Sequence, residues 1–171
     1  MYEFMTYELF RSYTLDIPWW KKEGVMEKMK VLFLCTGNSA RSQMAEAFLR
    51  KYAGRSIEAY SAGLEPKGIN PMTVKVMEEI GIDMSIHYSK PLSDYMGKMH
   101  FGYLITVCGH ADKNCPAVFP GVGLRLHWEL DDPDMVKGTV EKRLGKFREI
   151  RDQIKERVLD WLREHGISIE Q

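Results

Sequence analysis

Three features are scarce in this 171-residue chain: cysteine, with three residues, excess charge of either sign, and long apolar runs. Lysine plus arginine and aspartate plus glutamate number 24 each, so the formal net charge is zero. This balance argues against a nucleic-acid binder working through a broad basic face, but leaves room for a small positive pocket. No apolar run reaches the roughly 18–20 residues that a membrane helix needs. Glu3, Glu8, Arg11, Asp16 and Lys21 break every early run that could have formed a signal peptide. Internal repeats and low-complexity tracts are also missing. These absences place the protein in a reducing cytoplasm, with no membrane partner. There, an odd number of cysteines reads as catalytic, metal-binding or inert thiols rather than structural disulfides.

What is present divides in two. Residues 1–28 form an N-terminal extension rich in aromatics (Tyr2, Phe4, Tyr7, Phe10, Tyr13, Trp19, Trp20) and without a clear period. Met26 and Met29 both closely precede the next segment, so the extension is either a gene-start artefact or an aromatic docking segment. Residues 29–171 alternate strands and helices. Lys30–Cys35 is a buried-strand pattern, followed by a helix over Met44–Tyr52 with Ser42 as N-cap and Gly54 past its end. Ile57–Ser61 is a second strand. Asn70 and Pro71 open a helix whose apolar face holds Val74, Met77 and Ile80. A short helix over Leu92–Lys98, strands at Tyr103–Val107 and Leu124–Trp128, and a long helix from Val140 to His165 complete the set. Gly166 stops the last helix. Such alternation predicts an α/β fold with a parallel sheet covered on both faces.

The chemistry concentrates where the first strand meets the first helix, at Cys35-Thr36-Gly37-Asn38-Ser39-Ala40-Arg41-Ser42. A loop entering a helix N-terminus turns backbone N–H groups inward, and with the helix dipole they hold an anion. In this reading Gly37 permits backbone geometry that a side chain would forbid. Arg41 offers a bidentate fork to two oxyanion oxygens. The same field lowers the Cys35 pKa and makes its thiolate the nucleophile, with Ser42 hydrogen-bonded to it. A cysteine six positions before an arginine is common by chance. The intervening residues and the strand–loop–helix setting are not.

The run Cys35–Arg50 resembles the low-molecular-weight tyrosine phosphatase superfamily. Within it, Ser42-Gln43-Met44-Ala45-Glu46 is similar to the thioredoxin-coupled arsenate reductases. The likeness continues through Tyr60–Gly63, Asn70-Pro71, Val107-Cys108-Gly109, His127-Trp128 and Asp131-Asp132-Pro133. The resemblance implies a four-stranded parallel sheet flanked by helices. It also implies a three-thiol relay on an arsenate or phosphate-type oxyanion. Cys35 attacks arsenate, Cys108 attacks Cys35 as arsenite leaves, and Cys115 attacks Cys108 to leave a disulfide for thioredoxin. Asp132 is the implied general acid, with Asp131 as fallback. No bound cofactor is expected.

From the residues alone, Gly109–Asn114 reads as a polar loop able to move, as its flanking cysteines must if they are to meet. The bland alternative packs Cys108 in the core and leaves Cys115 incidental, while the spacing fits no usual zinc pattern. The chain also departs from its relatives. Ala40 stands where some carry a second loop cysteine, and Asp134 and Met135 replace the aromatic wall of the tyrosine phosphatases. Asn38, Glu46 and Ser61 match a potassium site of some relatives, but Lys90 falls where an aspartate is expected. No metal requirement is therefore predicted.

His127 reads as hydrogen-bonded structure and His110 as a solvated loop residue. Lys142, Arg148, Arg151, Lys155 and Arg163 read as a solvated helix face. Met72, Met77 and Met84 read as core. Two rival functions remain open. One is a phosphomonoester phosphatase using Cys35, Arg41 and Asp132; the other is a redox-sensing or oxyanion-binding protein that contacts a partner through its extension.

Overall fold

The computed structural model describes residues 28–117 and 119–171; the extension, apart from Lys28, lies outside the described residues. Strands β1 (Met29–Cys35), β2 (Ile57–Gly63), β3 (Phe101–Thr106) and β4 (Val122–His127) form one sheet in the order β2-β1-β3-β4. All three pairings are parallel. Helices α1 (Arg41–Ala53), α2 (Pro71–Glu78), α3 (Gly109–Asn114) and α4 (Val140–Glu164) lie between and after the strands. α4 packs against both α1 and α2, while α3 packs against β1 and β3.

β1 is central and, after Lys30, apolar: Val31, Leu32, Phe33 and Leu34 are fully buried, as a strand covered on both faces requires. Leu144, Phe147, Ile150, Ile154, Val158 and Leu162 recur along α4 and are all buried, so α4 turns one apolar stripe inward. Its N-cap Thr139 accepts from the Lys142 N–H, and Gly166 takes φ 61° just beyond its end.

Chain travel reverses between β1 and β3: from β1 it moves to β2, and from β3 to β4. Ligands in open α/β sheets bind at such a switch point, beyond the carboxyl ends of the strands. Cys35 ends β1, and the Val107 N–H donates to the Leu34 carbonyl at 2.9 Å beside it. The topology therefore carries Cys35 and Cys108 to the same crevice.

Several local expectations change. Ser42 does not cap α1, which begins at Arg41 with Ala40 at the cap position; its hydroxyl is held by Cys35 instead. Leu92–Lys98 makes only a 3₁₀ turn over Leu92–Asp94. Ile80 is exposed while Val76 takes its place in the core, because α2 ends at Glu78. Arg151 is buried rather than solvated. It donates to the Val76 carbonyl at 2.9 Å and pairs with Asp152 at 2.7 Å.

Candidate active site

The loop from Thr36 to Ala40 closes around the Cys35 sulfur. The Asn38 N–H donates to Cys35 Sγ at 3.1 Å, and Ser42 Oγ lies 2.8 Å from the same sulfur. Asn38 decides which way the Ser42 proton points. Its Nδ2 donates to Ser42 Oγ at 2.8 Å and to Ser61 Oγ at 2.9 Å. Its Oδ1 accepts from Gln43 Nε2 at 2.9 Å and from the Lys90 N–H at 2.8 Å. With its amide fully used, Asn38 occupies the Ser42 oxygen and leaves the Ser42 proton to Cys35. Ser61 likewise accepts from Asn38 and donates to Glu46.

Asn38 is also the loop residue with positive φ, at 46°, a conformation that asparagine adopts more readily than most residues. Gly37 does not carry that geometry, and a Cβ there would meet nothing closer than Ser39 Oγ at 3.4 Å. The demanding glycine is Gly63 at the end of β2. A Cβ there would lie 2.8 Å from the Thr36 carbonyl oxygen and 2.9 Å from the Asn38 nitrogen. The motif thus needs glycine across the crevice more than inside the loop.

Beneath the loop, buried Glu46 accepts from Ser61, pairs with Arg50 at 2.7 Å and meets Lys90 Nζ at 3.3 Å. Lys90 Nζ also donates to the Tyr88 carbonyl at 2.9 Å and lies 4.5 Å from the Tyr88 ring centroid. An ammonium therefore stands on the carboxylate that a cation would otherwise seek.

Arg41 reaches across the mouth to the segment after β4, donating to Asp132 Oδ2 at 2.9 Å and to the Leu130 carbonyl at 3.0 Å. Asp131 points elsewhere and pairs with Lys146 at 2.9 Å, so the two neighbouring carboxylates are separated by their partners. Burial pushes the Cys35 thiol above its ordinary value, against hydrogen bonds from the Ser42 hydroxyl and the Ser42 and Asn38 N–H groups. This reverses the expected lowering. Desolvation outweighs the hydrogen bonds that the loop gives the sulfur.

Cys108 lies in the same crevice. Its sulfur is 3.4 Å from Thr36 Oγ1, on the anion loop itself, and accepts from the Ala111 N–H at 3.3 Å. A negative charge on Cys108 adds a small upward push to the Cys35 thiol. Cys115 is half-buried, and burial raises its thiol, with Arg125 opposing. The expected loop between them is the helix α3, with Cys108 as N-cap and Cys115 as C-cap. At about 1.5 Å rise per residue their Cα atoms stand ~10 Å apart, beyond the ~7 Å a disulfide permits.

The matching family model is that of the low molecular weight phosphotyrosine protein phosphatases, over residues 30–170. The chain belongs to this family. It is 45% identical over 133 residues to an arsenate reductase of Halalkalibacterium halodurans, covering 78% of this chain and 94% of that protein. It is 42% identical over 137 residues to an arsenate reductase of Bacillus subtilis, covering 80% and 96%. The solved structure of an arsenate reductase in the phosphate binding state matches with TM-score 0.65 at 34% identity. That match covers 80% of this chain and 98% of the other.

The structure places Cys35, Arg41, Ser42, Cys108 and Asp132 around one crevice. Sequence reasoning missed the Thr36–Cys108 contact and the threefold use of Gln43, which donates to Asn38 Oδ1, the Asn38 carbonyl and the Tyr88 carbonyl. The available signal was the polar cluster Ser42, Gln43 and Glu46 at the start of a helix. Among the described residues no helix is long and apolar enough to cross a membrane.

Proposed function

We propose that this protein is an arsenate reductase that passes two electrons from an external dithiol to arsenate through Cys35, Cys108 and Cys115. One observation carries the reading: Cys108 Sγ sits 3.4 Å from Thr36 Oγ1, so a second thiol borders the loop that cradles the first. A simple phosphatase needs no such thiol. The relatives named arsenate reductases support the same assignment.

Arsenate enters the loop and takes Arg41 from Asp132. The Cys35 thiolate, stabilised by Ser42 and the loop N–H groups, attacks arsenic; Asp132, which takes up a proton from water once Arg41 has left it, passes that proton to the arsenic-bound hydroxyl, which leaves as water. Cys108 then attacks the Cys35 sulfur. The electron pair of the arsenic–sulfur bond passes to arsenic, arsenite departs, and a Cys35–Cys108 disulfide remains. Cys115 loses its proton and attacks Cys108, freeing the Cys35 thiolate and leaving a Cys108–Cys115 disulfide. That last step requires α3 to unwind, because its two ends are too far apart while it is wound. Unwinding also carries the disulfide outward, where thioredoxin reduces it. No bound cofactor enters the cycle. The chemistry needs reduced thiols, which fits a cytoplasmic setting.

The reading is tested by arsenate-dependent NADPH oxidation in the presence of thioredoxin and its reductase. Steady oxidation matched by arsenite release is expected. Steady hydrolysis of an aryl phosphate with no arsenite formed would assign the site to phosphatase chemistry instead.

A further inference from the structure

α3 is held to the rest of the molecule by few groups. Of its six residues only Ala111 is buried; His110, Asp112, Lys113 and Asn114 are exposed. Six residues make a helix that does not persist without outside contacts. Asn114 donates only to the His110 carbonyl within the helix itself.

Among the described residues, Asp112 is the exposed side chain of α3 that bonds to the sheet. Its Oδ1 accepts from Thr106 Oγ1 at 2.8 Å, and Thr106 is a buried residue at the end of β3. Thr106 Oγ1 also lies 2.8 Å from His127 Nδ1 and 3.3 Å from the Leu126 carbonyl. A hydroxyl has one proton. The carboxylate can only accept, so that proton goes to Asp112, and His127 Nδ1–H donates to the hydroxyl oxygen. The other ring nitrogen of His127 lies 2.8 Å from exposed Glu129. Three elements thus meet on one hydroxyl.

We propose that Thr106, Asp112 and His127 form a latch that holds α3 wound, and that its release governs the step in which Cys115 reaches Cys108. The proposal rests on the relay described above. The geometry gives the latch two settings. When Asp112 leaves, the Thr106 proton turns to the Leu126 carbonyl, already 3.3 Å away, and Asp112 passes into water from a half-exposed position. Neither partner is stranded, so opening costs about the net worth of one charge-assisted hydrogen bond. These are positioning residues: they touch neither arsenic nor sulfur, and they set how often the ends of α3 come together.

The test uses the full reduced chain. Amide hydrogen exchange over residues 109–115 is compared in wild type, Thr106→Val, Thr106→Ser and Asp112→Ala. The valine variant keeps the shape and loses the hydroxyl, while serine keeps the hydroxyl. Protection of α3 is expected to fall about tenfold in Thr106→Val and Asp112→Ala and to stay near wild type in Thr106→Ser. In a dithiol redox buffer the Cys108–Cys115 disulfide should become favoured by the same factor in the first two variants, ~30 mV for a two-electron couple. Unchanged protection and an unchanged equilibrium in both variants would overturn the latch. If Thr106→Val loosens the whole sheet, Asp112→Ala, at a half-exposed site, decides. A wild type that forms no Cys108–Cys115 disulfide would overturn the relay and the latch's part in it, while the exchange data still decide whether the latch exists.

Discussion

The Arg41 guanidinium and the Asp132 carboxylate are paired at 2.9 Å across the mouth of the anion loop, with Arg41 also bound to the Leu130 carbonyl. In the proposed cycle these are the anion-binding cation and the proton donor, and they satisfy each other before substrate arrives. On that reading an oxyanion takes the place of the Asp132 carboxylate on Arg41 and frees Asp132 to take up and pass on a proton.

Replacing Asp132 by asparagine should separate the two roles. Arg41 is then released to the loop, so inorganic phosphate binds more tightly and the Cys35 thiol shifts downward from its burial-raised value. The lower thiol appears as faster Cys35 alkylation at pH 7 and an alkylation profile displaced to lower pH. The chemical step, having lost its proton donor, should slow by roughly 10²–10⁴-fold. Unchanged alkylation would show that Arg41 does not act on Cys35.

Gly63→Ala puts a Cβ 2.8 Å from the Thr36 carbonyl oxygen and 2.9 Å from the Asn38 nitrogen. Backbone on both sides cannot give way cheaply, so a loss of about 1–3 kcal/mol in stability is expected. Phosphate affinity should drop with it. Gly37→Ala, which meets only ordinary contacts, should cost far less. Thermal unfolding and phosphate titration of the two variants check the ranking.

Lys90 meets Glu46 in the buried cluster beneath the loop. Turnover of the wild type should be the same in potassium and sodium chloride at equal ionic strength. Lys90→Met leaves Glu46 with Arg50 and Ser61, and should lower stability by about 1–3 kcal/mol, less than a fully broken buried pair costs. A wild type activated by potassium but not sodium would contradict this account of Lys90.

The legible parts of this molecule were those where one residue type serves one local purpose. The apolar run of β1, the Asn70-Pro71 start of α2 and the period of α4 each declare themselves within a few positions. So did the anion loop, because strand, loop and helix follow each other directly. What could not be read depended on groups far apart in the chain. Gly37 drew the argument about backbone freedom, yet Asn38 takes the positive φ and Gly63, 26 positions from Gly37, makes the room. The direction of the Cys35 shift was misjudged because burial of the thiol is a tertiary fact. Gly109–Asn114 read as a loop on its polarity, while its helix is supported by Cys108, Thr106 and Ala111, which a local window cannot weigh.

Cys108 and Cys115 should fail differently when replaced by serine. Cys115→Ser is expected to complete one reduction and stop as a Cys35–Cys108 disulfide, since α3 then has no thiol at its far end. Cys108→Ser should stop earlier, with no arsenite released, because nothing reduces the arsenic held on Cys35. Quantifying arsenite per enzyme after a single mixing separates them: about one equivalent for the first variant and none for the second.

The central claim, that three thiols act in sequence, is tested most directly by mixing pre-reduced protein with arsenate in the absence of thioredoxin and mapping the cysteines by mass. The account predicts one arsenite released per chain, a Cys108–Cys115 disulfide and a free Cys35. Three free thiols after that mixing, with no arsenite formed, would contradict it.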